Sequence, residues 1–322
     1  VKAIVQDEYG APEEVLALRE IDKPAVADDE VLVRVRAAAV AGDDWHLMRG
    51  QPYVARMEMG LRRPKSRVPG RDLAGTVEAV GAEVEEFEPG EEVFGWCEGA
   101  FAEYASVPEK ALAPKPANLI PEQAAVVPIC GFTALQALRD KGEVQPGQSV
   151  LIVGASGGVG SFAVQIAKAF GAEVSGVCSG RNAELVRSLG ADHVIDYTRE
   201  DFARDGQRYE LIVDLVGDRS LKDLRGALTR KGTLVMVGGT GGRWLKGTDR
   251  WLWGSLLSPF LGQRLRPLVH SDRKEDLLTL KALIEEGKLE PQVTARYPLS
   301  EASQAIAHYE AGHAQGKVVI TV

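Results

Sequence analysis

Three glycines, Gly154, Gly157 and Gly160, follow the apolar run Val150 to Val153 at the spacing G-x-x-G-x-x-G. A buried strand, a glycine turn and a helix in that order make a phosphate cradle, and the chemistry it serves is the binding of a dinucleotide. Gly154 lets the chain turn sharply and Gly157 removes a side chain where a pyrophosphate must approach the backbone. Gly160 lets the predicted helix Val159 to Phe170 lie close on the sheet, with the phosphate charge at its N-terminus. Ser156 and Gly158 complete the cradle. At the end of the next strand an acid would bind the ribose of NAD, but the chain reads Val177-Cys178-Ser179-Gly180-Arg181-Asn182. Ser179 can donate to a 2′-phosphate and Arg181 can form a fork on it, which favours NADPH over NADH. A solvated arginine at a helix start is the alternative for Arg181.

The elements that must position this cradle alternate. Strands are predicted at Val150 to Val153, Glu173 to Cys178, Asp192 to Asp196, Glu210 to Asp214 and Gly232 to Val237, with helical segments between them. That pattern is a doubly wound Rossmann domain of the α/β class, assigned to residues 121–270. Before it, Val1 to Val5, Glu30 to Ala38, Arg71 to Val80, Glu91 to Gly95 and Phe101 to Val107 read as strands punctuated by Gly and Pro. This second, β-rich domain covers residues 1–120 and takes back residues 271–322, whose Val318 to Val322 is a last strand. Leu277 to Glu286 reads as a helix, and Ser300 as the N-cap of a helix from Glu301 to Tyr309.

With 322 residues, 45% hydrophobic and 26% charged, the chain is ordinary for a soluble protein of two domains. Its net charge of −8 gives no general attraction to nucleic acid or to an anionic membrane. No leader and no membrane span is read, and Cys97, Cys130 and Cys178 show no pairing pattern, so a cytoplasmic setting is expected.

Val68-Pro69-Gly70-Arg71-Asp72-Leu73-Ala74-Gly75, Pro128 to Leu138 (PICGFTALQAL) and Gly190 to Tyr197 (GADHVIDY) resemble characteristic words of the medium-chain dehydrogenase/reductase superfamily. The chain is most similar to its zinc-free branch, the NADPH:quinone oxidoreductase or zeta-crystallin-like enzymes. The resemblance implies a GroES-like fold for the β-rich domain, a substrate cleft between the domains and a homo-oligomer, dimer or tetramer. It also implies that Ala155, Gly157, Gly158 and Val159 bind pyrophosphate and that Tyr197 binds the adenosine phosphate. Thr133, Gly238, Gly239 and Lys317 would lie on the nicotinamide side, and Asn182 stands where relatives often have a lysine. Asp44 and Tyr53 match the acid and the pocket tyrosine of quinone reductases, although Ala41-Gly42 replaces an Asn-Pro pair. A capping acid and a packed tyrosine are the alternatives for these two, and a solvated lysine is that for Lys317.

Zinc-containing relatives carry Gly-His-Glu where this chain has Gly70-Arg71-Asp72, and no cysteine lies in the segment Ala41 to Trp45. His46, Asp44 and Asp72 could in principle bind a metal, but a surface or hydrogen-bonded histidine is the plainer reading, so no metal is expected. An unactivated carbonyl needs a Lewis acid or a strong proton donor to accept hydride, whereas an apolar quinone or an enone delocalises the incoming charge itself. The reading is therefore an NADPH-dependent quinone reductase. An alkenal or enoyl reductase, a non-catalytic NADPH-binding protein and a peripheral membrane reductase using the cluster Trp251 to Leu261 remain open.

Trp45, Trp251 and Trp253 are expected in the substrate pocket, the last two within the apolar cluster Trp251 to Leu261. Cys130 reads as a packed apolar thiol. The basic run Arg62-Arg63-Pro64-Lys65-Ser66-Arg67 reads as a solvated loop or as a rim that guides an anionic cofactor or substrate.

Overall fold

The computed structural model describes residues 1–239, 250, 251, 254, 258, 261–312 and 316–322, with Glu58 described by its backbone alone. The chain divides into two units. The first comprises Val1–Cys130, Asp272–Glu285 and Pro291–Val322, and the second Gly131–Ser271 and Glu286–Glu290. The chain passes from one to the other inside the helix Pro128–Gln136. The preceding helix, Pro121–Ala125, packs on strands of the first unit.

In the first unit β1 (Lys2–Gln6) and β2 (Leu16–Glu20) form an antiparallel ribbon. The spine of the main sheet is β3 (Glu30–Val40), whose Val31, Val33, Val35 and Ala37 to Val40 are all buried. One side of it pairs along its length with β4 (Asp72–Val80), followed by β5 (Glu92–Trp96) and β7 (Leu112–Pro114). The other side is shared. β6 (Tyr104–Pro108) takes Glu30 to Arg34, and a strand from the far end of the chain takes Ala37 to Val40.

The second unit is a six-stranded parallel sheet: β8 (Ser149–Val153), β9 (Glu173–Cys178), β10 (His193–Asp196), β11 (Tyr209–Asp214), β12 (Leu228–Met236) and β13 (Arg264–Pro267). Its order, β10-β9-β8-β11-β12-β13, reverses direction after β8. A ligand crevice in such a sheet lies at that reversal, beyond the carboxyl ends of the strands, where the glycine turn begins. Val150 to Val153 are buried as a strand covered on both faces requires.

The chain then returns to the first unit. β14 (Val293–Pro298) pairs parallel to β15 (Lys317–Thr321), and β15 pairs antiparallel to β3. The completed order is β14-β15-β3-β4-β5-β7, so the strand expected near Val318 lies in the sheet interior.

Several elements differ from their sequence expectation. β13 was not expected, because RLRP is short and charged. Its outward arginines are matched instead: Arg264 and Arg266 both pair with Glu143, at 2.8 and 2.7 Å. β2, β7 and β14 also escape a reading by hydrophobicity, since each is brief or carries charge on an exposed face. Ser300 is not an N-cap. It lies inside the 3₁₀ turn Leu299–Glu301, and Glu301 precedes the helix Ala302–Glu310 without a side-chain capping bond. Buried Leu299 anchors that turn in the core.

Ile320 is fully buried on β15 among Val33, Val35 and Val318 of the same cluster. Ile320→Ala is expected to cost about 2–5 kcal/mol, read as a shifted denaturant midpoint at unchanged slope. A shift under about 0.5 kcal/mol would contradict an interior place for β15.

Candidate functional site

In the second unit the glycine turn has the geometry its spacing implies. Gly154 has φ of +90°, and a side chain there would be strained. A Cβ on Gly160 would collide with the Gly154 carbonyl, whereas one on Gly157 would come no nearer than 3.4 Å to that oxygen. The helix Gly158–Ala169 starts with Gly157 as its N-cap, so its first backbone N–H groups carry no side-chain cap. Gly160 is thus glycine because of the fold, while Gly157 leaves room that the fold does not use. That room at a helix N-terminus fits a pyrophosphate. Ala155 is buried, and Ser156, Gly158 and Val159 are half-buried around it.

The loop after β9 braces this turn. Asn182 is buried, and its side-chain amide donates to Ser156 Oγ at 2.9 Å while its Oδ1 has no partner. The sequence treats Asn182 as a cofactor contact; in the structure its side chain ties the two loops together. Ser179 is half-buried and Arg181 is exposed, with no carboxylate partner for Arg181 among the described residues. Tyr197 is exposed just past β10.

The sequence finds no acid at this loop, but the fold supplies one. Asp196, at the end of β10, packs its carboxylate so closely on Gly180 that a Cβ there would strike it. Bonds from Thr198 and from the Gly180 backbone hold Asp196 below the usual carboxylate range. Arg199 approaches it at 3.7 Å. The spacing between strands hid this neighbour, which only parallel pairing of β9 with β10 brings alongside.

At the carboxyl end of β11, fully buried Asp214 accepts from Gly217 N–H at 3.0 Å and from Arg250 Nη2 at 2.8 Å. This holds the Leu215 to Gly217 loop against Gly238, where a Cβ would strike the Leu215 carbonyl. Gly238 and Gly239 are half-buried, Thr133 is buried in its helix, and Trp251 packs on the core of this unit. Trp253 lies outside the described residues.

The first unit holds a cluster of charge that the sequence reading did not assemble. Lys317 opens β15 and is 2% exposed. Its Nζ donates to the Val40 carbonyl at 2.9 Å, bonds to the Cys130 side chain and faces Asp72 Oδ2 at 3.5 Å, an ion pair without a hydrogen bond. Asp72 Oδ1 accepts from Ile129 N–H at 3.0 Å. Asp44, one turn into the helix Gly42–Arg49, accepts from Ala41 N–H at 2.7 Å and leaves Oδ1 buried without a partner. The capping role open to Asp44 is therefore observed, and the solvated alternative for Lys317 is corrected. The polar residue before an apolar strand was the only available hint of it.

Burial pushes Asp44 up to about 7, against its bond from Ala41. Burial likewise pushes Asp72 up to about 6, with the Lys317 ammonium opposing. For Lys317 burial favours the neutral amine, yet Cys130, Asp72 and Asp44 hold its pKa above the ordinary value. The Cys130 thiol is raised chiefly by burial, so it is not an activated nucleophile. Tyr53 begins a 3₁₀ turn, with the Arg56 guanidinium over its ring at 4.6 Å. Trp45 packs half-buried on the core beside His46, whose Nδ1 meets the Gln51 carbonyl at 2.7 Å.

Residues 27–117 match the family model of the alcohol dehydrogenase GroES-like domain, and residues 189–320 that of zinc-binding dehydrogenase. The NADPH-dependent alkenal/one oxidoreductase, chloroplastic, of Arabidopsis thaliana is 33% identical over 99% of this chain and 79% of its own length. The chain belongs to the medium-chain dehydrogenase/reductase superfamily. Two solved structures of its kind are the quinone oxidoreductase from Coxiella burnetii and that of Escherichia coli complexed with NADPH. The first is 32% identical with a TM-score of 0.85, covering 100% of this chain and 99% of that one. The second is 25% identical with a TM-score of 0.85, and each chain is covered in full at 100%. The GroES-like and Rossmann architecture is that of this superfamily.

One matched model carries zinc in its name, and the residues here do not fit such an ion. Among the described residues no group of three or more His, Cys, Asp or Glu could hold a metal. Arg71 pairs with Asp272 at 2.5 Å, and the space beside Asp72 and Cys130 already holds the ammonium of Lys317. A divalent cation would be repelled there.

Two measurements test these sites. Gly157→Ala should melt within about 2 °C of the wild type yet lose dinucleotide affinity at least tenfold in a fluorescence titration, whereas Gly160→Ala should fall well below both in melting temperature. Equal behaviour of the two variants would contradict the division of labour between them. The second concerns pH. Both Asp44 and Asp72 bind their protons more tightly folded than unfolded, so their contribution is full below about pH 4 and is lost as pH rises through 6 to 7. Asp44→Asn keeps an acceptor for Ala41 and should flatten the fall of stability between pH 4 and 7 by up to about 1.4 kcal/mol per pH unit. Superimposable stability profiles would refute this.

Proposed function

We propose that the protein is an NADPH-dependent, metal-independent reductase that carries hydride to a quinone or another activated carbonyl acceptor. The observation that carries the reading is the Lys317 ammonium beside Cys130 and beside Asp72, the last residue of the segment Gly70-Arg71-Asp72. An unactivated ketone needs a Lewis acid or a strong proton donor to accept hydride, and the donor set here suits a lysine rather than a metal. An acceptor that spreads the incoming charge over its own conjugated system has no such need.

In this reading the second unit binds the cofactor. The backbone from Ala155 to Val159 receives the pyrophosphate, Ser179 and Arg181 the 2′-phosphate, and Tyr197 the adenosine phosphate. Thr133, Gly238 and Gly239 keep the nicotinamide half in place. NADPH, when bound, supplies the hydride. A quinone takes that hydride and one proton, leaving hydroquinone and NADP⁺. Tyr53 orients the acceptor, and Asp44 retains a proton near neutrality. Asp196 stays ionised beside this loop, with Arg199 at 3.7 Å from it, so the 2′-phosphate would rest on Ser179 and Arg181. A cytoplasmic homodimer or homotetramer completes the proposal.

A second reading, reduction of a conjugated C=C bond, is favoured by the 33% identity with the Arabidopsis alkenal/one oxidoreductase. It differs in the carbon that receives the hydride.

The test follows NADPH oxidation at 340 nm against 1,4-benzoquinone, 9,10-phenanthrenequinone, an enal and a simple aldehyde, with and without chelator. Chelator-resistant turnover of quinones and none of the aldehyde is expected. Turnover of the enal alone would shift the assignment to the alkene, and NADPH binding without any turnover would overturn the enzyme. Arg181→Ala should raise KM for NADPH about 10- to 100-fold and leave KM for NADH unchanged, as loss of a charged hydrogen bond does.

A further inference from the structure

The segment between Tyr53 and Arg67 combines two features seldom found together on an acidic protein. It carries Arg56, Arg62, Arg63, Lys65 and Arg67 against the single carboxylate of Glu58, in a chain of net charge −8. It also exposes large apolar side chains: Met57 is 76% exposed, Leu61 72% and Val54 52%. Val54 and Met57 stand three residues apart across consecutive helical turns, Tyr53–Ala55 and Arg56–Met59, and so share a face.

The segment is built rather than loosely hung. Gly60 turns the chain at φ of +120°, and a Cβ there would strike the Arg63 carbonyl. Tyr9 Oη donates to the Gly60 carbonyl at 2.7 Å, Lys65 N–H donates to Met59 at 2.9 Å, and Arg56 donates to Gly50 at 2.8 Å. Arg56 is further committed to the rings of Tyr9 and Tyr53. Those restraints hold Leu61, Arg62 and Arg63 outward.

Three of the cations beyond the turn border a hollow of about 380 Å³ lined by Asp7, Arg63, Pro64, Lys65 and Arg67. Its one acid is already used: Asp7 pairs with Arg67 at 2.6 Å and with Arg19 at 2.8 Å, and those bonds hold its carboxyl low. No carboxylate among the described residues pairs with Arg62, Arg63 or Lys65. Three cations without a carboxylate partner among the described residues therefore stand beside three exposed apolar side chains.

We propose that this face docks on an anionic lipid bilayer, with Arg62, Arg63 and Lys65 against headgroup phosphates and Val54, Met57 and Leu61 at the acyl boundary. Charge complementarity selects the occupant. A polyanion such as nucleic acid would use the cations and leave the apolar side chains in water, whereas an interface of lipid takes both. The negative remainder of the protein would be repelled by the same surface, which restricts contact to this face. The inference goes beyond the proposed reaction, and its consequence would be to place the protein where apolar acceptors partition.

Flotation with vesicles tests it directly, without reference to turnover. The wild type at low salt should float with vesicles of phosphatidylcholine and phosphatidylglycerol at 2:1, and not with phosphatidylcholine alone. The triple variant Arg62→Ala, Arg63→Ala, Lys65→Ala should lower the partition coefficient on the order of a hundredfold. Met57→Ser with Leu61→Ser should lower it about tenfold or more, while raising the salt to 0.5 M should release the wild type. All five positions are exposed, so the variants should melt as the wild type does. Absence of wild-type flotation, or triple-variant flotation equal to it, would overturn the proposal. So would concentration-dependent self-association, seen by sedimentation and lost in the variants, without vesicle binding; the face would then join copies of the chain.

Discussion

A lysine ammonium enclosed among carboxylates is the constraint on which the first unit depends. Lys317 reaches from β15 to the end of β3 through the Val40 carbonyl, to the start of β4 through Asp72, and to Cys130 in the helix that leads out of the unit. Asp72 in turn receives the N–H of Ile129. Four segments distant in sequence thus meet on one charge. An ion removed from water this completely gains only when its partners are near and well placed, and removing a single partner costs about 3–5 kcal/mol. Such a cluster is poor as a source of net stability. It is strict about which strand sits where, and a register slip on β15 would carry the charge to the wrong face.

The same cluster relates fold to chemistry. A buried cation offers the charge that a metal would, but it has no open coordination site and cannot draw an acceptor oxygen into its shell. In the proposed reaction, orientation and exclusion of water would take the place of electrophilic pull. In the second unit the division is similar. Gly160 and Asn182 hold the turn in shape, while Gly157 and the uncapped N–H groups of the helix leave space and partial positive charge for a phosphate.

The local part of this architecture was legible in the sequence. The alternation and length of the strands in the second unit, the glycine spacing and the helix beyond it all follow from short-range sterics and from burial on both faces. β13 and β14 were not legible, because the rule that strands are apolar fails when charged side chains on an edge find partners such as Glu143. The charged cluster was hidden for a different reason. Nothing near Lys317 in the sequence signals Asp72, 245 positions away, and only antiparallel pairing of β15 with β3 and of β3 with β4 brings them together. Asp196 beside Gly180 is the parallel case in the other sheet: an acid on the neighbouring strand reaches a loop whose own sequence contains none.

The second unit interrupts the first, which is assembled from segments on both sides of it. Its ends are tied where they leave: Gln136 and Ser271 exchange two hydrogen bonds, side-chain amide to carbonyl at 2.7 Å and backbone N–H to amide oxygen at 2.9 Å. Seen as polymer physics, the inserted unit is a folded loop closure. While it stays folded, the two halves of the other sheet are held as if on a short tether. Once it opens, they must find each other across the length of an unfolded chain, at a loop entropy that grows with that length. A protease that nicks the insert would therefore orphan β3, baring the Ala37 to Val40 edge that β15 had covered, and unpaired edges of this kind seed aggregation.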